Sequence, residues 1–319
     1  MPTAPAPHGD PLVHARDLLD PEFAPLVGVI PDVLSLDLVT AMRATSLFPS
    51  PPLSDAVVRA EHSVPGEPAV PVRVHRPADA VGLLPCMYSI HGGGYIIGSY
   101  DMDDVIFDRL CPRVGLLGVS VEYRLAPETP YPGPLEDCYR GLKWVYDNAE
   151  VLGVDASRIG IAGTSAGGGL AAALALLARD RGEVPLWFQL LDCPMLDDRQ
   201  QSWSSRLDGL EVWSKSANEL GWRSYLGDLY GRADVPYHAA PGRATDLSDL
   251  PPAFISVGGA DGFLAEDVDY AVRLLEAGVP TELHVYPGAP HGYALVPDSA
   301  VARQSRRDID GWLTRQVGR

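Results

Sequence analysis

The sequence predicts an α/β protein: a mostly parallel, eight-stranded sheet with helices on both faces. Three observations carry that prediction. Of the 319 residues, 46% are hydrophobic and 21% charged, enough for a large core and unlike a disordered chain. From about residue 84 onward, short apolar runs alternate with helical periodicities, the pattern of parallel strands covered on both sides. Two earlier runs instead alternate polar and apolar residues across a Pro-Gly turn, which marks an antiparallel pair.

The elements follow in order. Residues 1 to about 50 are Pro-rich and hold an amphipathic stretch from Pro31 to Phe48. Leu34, Leu38 and Met42 fall four apart there, with Val39 and Leu47 beside them, which predicts a short helix. "AVVRAEHSV" (56–64) and "AVPVRVHRP" (69–77) are the antiparallel strands, joined at Pro65-Gly66. Six runs of buried-strand type come next: 84–90, 116–123, 158–163, 186–192, 253–258 and 281–287. Helical patterns stand at roughly 103–113, 134–149, 166–181, 264–277 and 299–316.

Two regions break the alternation, residues 1–50 and 198–245. Both bear aromatics and are partly helical. They are expected to pack together over the C-terminal edge of the sheet, where α/β ligand sites lie. The core is thereby divided into 51–197 and 246–319.

Charge and cysteines narrow the function. A formal net charge of -17 argues against nucleic acid and anionic lipid as partners. Cys86, Cys111, Cys138 and Cys193 form no CxxC pair, and none lies near a His at metal-ligand spacing. Buried, reduced thiols are expected, with no metal and no organic cofactor. The N-terminus has no charged segment followed by an apolar one, and no apolar run approaches the ~20 residues of a membrane span. The expected location is cytoplasmic.

The chemistry gathers at "IGIAGTSAGGG". Gly163-Thr164-Ser165-Ala166-Gly167 is G-x-S-x-G between a strand and a helix, the context of a nucleophile elbow. Glycines permit the sharp turn, and the helix N-terminus favours the negative charge of a tetrahedral oxyanion. His91-Gly92-Gly93-Gly94 follows a buried strand, and a glycine run lets backbone N–H groups converge on one oxygen. Gly93, Gly94 and Ala166 are the expected donors; His91 is expected to organise the loop. A serine nucleophile needs a base and an orienter. His291 lies in a Gly/Pro loop beyond the last strand. Asp261 lies on the loop leaving the strand before it, where it could also cap the following helix. Glu266 and Asp267 fall in that helix's first turn. The order Ser165, Asp261, His291 is that of the α/β-hydrolase fold.

Together these motifs resemble the bacterial hormone-sensitive-lipase-like (family IV) carboxylesterases over roughly residues 50–319. "HGGGYIIGS" is similar to that family's oxyanion stretch, "EYRLAPETPYPGPLED" to its D-Y-R-L-A-P-E segment, and "GTSAGG" to its nucleophile motif. "DGFLAED" and "HGY" resemble its acid motif and His loop. Thr164 places the chain with the G-T-S-A-G-G group. Gly262 and Ala265 stand where the acid motif commonly has Pro and a second Asp.

The resemblance implies an α/β-hydrolase fold with a helical cap made from the two irregular regions. It implies a triad of Ser165, Asp261 and His291, an oxyanion hole of Gly93, Gly94 and Ala166, and Arg124 and Glu128 bracing a turn. Candidate acyl-pocket residues in the cap are Leu34, Leu38, Met42, Leu210, Trp213 and Leu220. The implied activity is hydrolysis of short- to medium-chain carboxylic esters. Amidase, thioesterase and acyltransferase activities share the triad and stay open. Plant gibberellin receptors resemble this family but lack the catalytic His; here His291 is present. The strand 281–287 precedes the C-terminal helix, contains no Lys, and is expected to form an unprotected sheet edge that pairs two copies as a homodimer.

Overall fold

The structure is a computed structural model, and it describes residues 14–44 and 52–318. Residues 1–13 and 45–51, Leu47 among them, lie outside the described residues. Two helices come first, α1 (Ala15–Leu18) and α2 (Leu36–Ala44). Then follow β1 (Val57–Val64), β2 (Val70–Pro77), β3 (Leu84–Ile90), α3 (Asp104–Leu110) and β4 (Leu117–Val121). The middle of the chain holds α4 (Gly133–Asp147), α5 (Ala149–Leu152), β5 (Val154–Thr164), α6 (Ala166–Arg181) and β6 (Gln189–Asp192). The last part holds α7 (Lys215–Leu226), β7 (Ala253–Gly258), α8 (Leu264–Glu276), β8 (Thr281–Tyr286) and α9 (Ala300–Val317).

All eight strands form one sheet in the order β1-β2-β4-β3-β5-β6-β7-β8. β2 runs antiparallel to β1 and to β4, and every other pairing is parallel. The expected sheet is therefore present, with β8 at one edge. The strands read as apolar runs because both their faces are covered: every residue of β4 and of β7 is buried. β1, at the other edge, mixes buried and exposed positions. α6 is Ala- and Leu-rich all round because it is buried all round, from Ala166 to Ala178. With α4 and α8 it fills the larger core on one face. α3 and α9 close the opposite face through Phe107, Leu110, Trp312 and Leu313, packed on Phe188 and Phe254.

The N-terminal segment and the insertion 198–245 do contact each other. Ala15 N–H donates to the Asp208 carbonyl (2.8 Å), and the Ser214 hydroxyl, which also caps α7, donates to the Asp32 carbonyl (2.5 Å). Among the described residues, no helix is long and apolar enough to cross a membrane. All four cysteines are free and buried, as expected.

Candidate active site

β5 ends at Thr164 and α6 begins at Ala166, so Ser165 alone forms the corner. Its backbone sits at φ 58°, ψ -122°, a costly conformation for a residue with a side chain. The flanking glycines make it attainable. A Cβ on Gly163 would run into the Gly167 carbonyl, and one on Gly167 into the carbonyls of Ile90 and His91. Hydrogen bonds hold the corner from both sides. Ser165 N–H donates to the Asp192 carbonyl (2.8 Å), and the Ser165 carbonyl accepts from Gly169 and Met195 N–H (2.9 Å each).

Asp261 and His291 reach this corner from the loops after β7 and β8. His291 Nε2 lies 2.9 Å from Ser165 Oγ, and Nδ1 lies 2.8 Å from Asp261 Oδ2. The other Asp261 oxygen accepts from Phe263 N–H (2.9 Å). One carboxylate thus fixes the turn before α8 and faces the imidazole; it does not cap the helix, whose N-cap position is Phe263. The Phe263 ring meets the imidazole edge-on, with centroids 5.1 Å apart. Ser165, Asp261 and His291 are only 6%, 2% and 7% exposed, so charge that develops here is poorly screened by water.

The glycine loop after β3 packs against the same corner. A Cβ at Gly92 would come within 2.9 Å of the Thr164 carbonyl oxygen and 3.4 Å of Ser165 Cβ. Gly93 and Gly94 adopt φ 112° and 60°, values that favour glycine. Among the described residues, the N–H groups of Gly93, Gly94 and Ala166 donate to no protein acceptor. His91 organises the loop. Its ring stacks on Tyr123 at 4.2 Å, and its Nδ1 sits 2.8 Å from the Gly92 carbonyl. Burial holds its pKa down at about 4, so the ring is neutral and Nδ1–H is the donor. Arg124 and Glu128 both brace turns, through partners that the sequence did not reveal. Arg124 forks onto Asp137 (2.7 and 2.9 Å), and Glu128 pairs with Arg43 (2.9 Å). Arg43, from α2, also donates to the Ile96 carbonyl (2.7 Å), which ties the N-terminal segment to the glycine loop.

The insertion, called the roof below, packs on loops of the site, Trp213 against Gly94 and Leu210 against Gly262. Glu211 in the insertion is buried and accepts from Arg16 Nε (2.6 Å) and from Gly28 N–H (2.9 Å). The N-terminal segment also reaches the loop that carries His291: Asp20 N–H donates to the Gly288 carbonyl (2.9 Å). Glu22 accepts from Ala300 N–H at the start of α9 (2.8 Å). Beneath the roof is a cavity of ≈ 10 Å³, about one water in size, bordered by Leu210, Trp213, Asn218, Asp261 and Phe263. Of the six apolar residues proposed for a pocket, Leu210 and Trp213 line this cavity. Leu34, Leu38, Met42 and Leu220 pack on the main core.

Acidic groups crowd behind the imidazole. Asp192 accepts from Ser256 Oγ (2.7 Å) and Tyr293 Oη (2.8 Å), and Glu266 from Leu196 N–H (2.9 Å). Burial pushes both carboxyls, and that of Asp267, above the usual range. Burial also pushes the Cys193 thiol up, helped by the charges of Asp192, Asp261 and Asp267. Ligand atoms of Cys193, Asp261 and His291 lie within 4.8 Å of one another. Sequence spacing put no Cys beside a His; the adjacency of β6, β7 and β8 does.

Residues 87–295 match a protein family described as alpha/beta hydrolase fold. Carboxylesterase NlhH of Mycobacterium tuberculosis is 40% identical over 241 residues, which cover 73% of this chain and 75% of that protein. Esterase LipI of the same organism is 33% identical over 295 residues, covering 90% and 91%. Among solved structures, a bacterial heroin esterase superimposes with a TM-score of 0.86 at 39% identity, over 95% of this chain and 99% of that one.

Proposed function

The chain belongs to the alpha/beta hydrolase fold family and is a carboxylic ester hydrolase, and on that premise we propose that it cleaves short- to medium-chain esters through an acyl-enzyme on Ser165. The observation that carries this reading is the unbroken line from Ser165 Oγ to His291 Nε2 (2.9 Å) and from Nδ1 to Asp261 (2.8 Å). His291 takes the hydroxyl proton as Ser165 attacks the ester carbonyl. Asp261 holds Nδ1–H, fixes the tautomer and stabilises the imidazolium. Gly93, Gly94 and Ala166 N–H groups receive the oxyanion; that they have no protein acceptor supports the assignment. His291 then protonates the leaving alcohol, and water repeats the sequence on the acyl-enzyme.

In this reading the N-terminal segment and the insertion 198–245 act as a cap. The small cavity between Trp213 and Asp261 supports a preference for compact acyl groups. The esterase works as a homodimer through β8, which among the described residues pairs with β7 alone.

A fluorophosphonate probe tests the nucleophile, because only an activated serine is labelled. Wild type should label once, and Ser165→Ala should not label and should lose on the order of 10⁶ in kcat. Equal labelling of the two would mean that another serine is the nucleophile. A panel of ester chain lengths, with one amide and one thioester, then places the substrate class.

A further inference from the structure

Cys193 plays no part in acyl transfer, yet it stands beside the groups that do. It follows β6 directly, at φ 40°, with its N–H given to the Ser256 carbonyl (2.6 Å). Its sulfur, a carboxylate oxygen of Asp261 and a ring nitrogen of His291 all lie within 4.8 Å of one another, and all three residues are buried. Thiolate, carboxylate and imidazole together suit a borderline-soft divalent cation. Metal–ligand bonds of about 2.0–2.3 Å hold the ligand atoms of a tetrahedral site roughly 3.3–3.8 Å apart. The sulfur therefore has to close in by up to about 1 Å, and the 2.8 Å pair of Nδ1 and Oδ2 has to part by about half an ångström, which are side-chain adjustments.

Asp267 points to a cation independently. It is fully buried, and neither carboxylate oxygen has a hydrogen-bond partner. Buried polar groups are normally satisfied, so a bare acid in the first turn of α8, the helix that follows Asp261, is a place where a cation gains.

We propose that Cys193, Asp261 and His291 bind one divalent cation of the zinc or cadmium type, and that its binding switches hydrolysis off. The cation takes a lone pair from Nδ1, from one Asp261 oxygen and from sulfur. The thiol proton leaves to solvent, and the Nδ1 proton reappears on Nε2. With Nε2 protonated, His291 has no lone pair left to accept the Ser165 proton. No electron transfer is involved, and the change reverses when a chelator removes the ion. The inhibitory half rests on the acyl-transfer reading above; the binding half does not.

Cadmium ion in chelator-free buffer is the probe. The full-length wild type should bind one equivalent, develop an ultraviolet sulfur-to-cadmium charge-transfer band, and lose esterase activity until a chelator is added. Cys193→Ala and Cys193→Ser keep the other three cysteines. Each should show no band and need about tenfold or more cadmium for half-inhibition. Ser165→Ala should still bind the ion although it is inactive, which separates binding from the acyl-transfer reading. If neither Cys193 variant folds, X-ray absorption on cadmium-loaded wild type decides, with one sulfur and the remaining neighbours nitrogen or oxygen expected. A spectrum without sulfur, or equal inhibition of wild type and both variants, overturns the proposal.

Discussion

The edge of the Trp213 ring abuts Gly94: a Cβ added there would come within 2.0 Å of Cη2 and 2.3 Å of Cζ2. A side chain of the insertion therefore packs on one of the glycines assigned to the oxyanion.

Gly94→Ala should cost on the order of 10² or more in kcat, because the new methyl group pushes on the ring and the backbone at φ 60° resists a side chain. Trp213→Ala should shift preference toward longer acyl chains, with discrimination of about 1–3 kcal/mol per methylene. A double-mutant cycle on kcat/KM should give a coupling between the two of at least about 0.5 kcal/mol. Additive effects would take the ring off the oxyanion loop.

Glu211→Ala should loosen the roof without melting the sheet. Glu211 is 4% exposed and holds both Arg16 and the Gly28 N–H. Arg16 is half-exposed and regains water when its partner goes, so the loss is about 1–2 kcal/mol rather than that of a buried charge. Hydrogen exchange reads this directly. Amides in 14–34 and 208–216 should exchange about tenfold faster, while those of β3 and β5 keep wild-type rates.

A polar cluster under α3 sets opposing pH trends. Burial, with the nearby Arg59 and Arg73, lowers His75 from 6.5 to about 3. Between those values the unfolded chain takes a proton that the folded one refuses, so this stabilisation is full above pH 6.5 and is lost on acidification. Burial raises Asp103 from 3.8 to about 7, against hydrogen bonds from Ser89 and Ser120 that lower it. In that window the folded chain keeps a proton that the unfolded one has released, so this stabilisation is full below about pH 4 and is lost by about pH 7. In urea melts from pH 4.5 to 7, His75→Gln should flatten the loss of stability on acidification and Asp103→Asn should steepen it. Shifts in the same direction would remove the pair from the account.

Light scattering should give a mass near twice the 34.2 kDa of one chain. Among the described residues β8 pairs with β7 alone, Val285 in it is 42% exposed, and His284 lies mid-strand. His284→Pro removes a donor from that edge and should yield monomers. A wild-type monomer ends the idea; a dimer that survives the substitution moves the interface elsewhere.

Much of this architecture was legible because burial writes itself into apolar runs. β3 to β8 fall where such runs stand, β1 and β2 where polar and apolar residues alternate, and Ser165, Asp261 and His291 were singled out because each follows a strand end. The boundaries drifted where the chemistry is mixed. β5 begins at Val154, before the polar Asp155 and Ser157, and β6 begins at Gln189, after an aromatic stretch that packs on Trp312 rather than extending the strand. Contacts that join distant segments were invisible: Arg43 with Ile96, Glu211 with Gly28, Cys193 with His291. No periodicity encodes them, since each exists only once the sheet has set its strand order.

The N-terminal strap has a consequence for heat tolerance. Residues 14–34 hold the roof through Glu211, the His291 loop through Gly288 and the start of α9 through Glu22, and of their own side chains only those of Ala15, Phe23, Leu26 and Leu34 are buried. Such a segment opens at a fraction of the free energy that melts the sheet. On warming, catalysis will fade while the strands are still intact, and it will return on cooling. The working temperature of the enzyme is then set by residues 14–34. Substitutions that stiffen the core will raise the melting temperature without extending that working range, whereas a single added tie between residues 14–34 and the insertion will extend it.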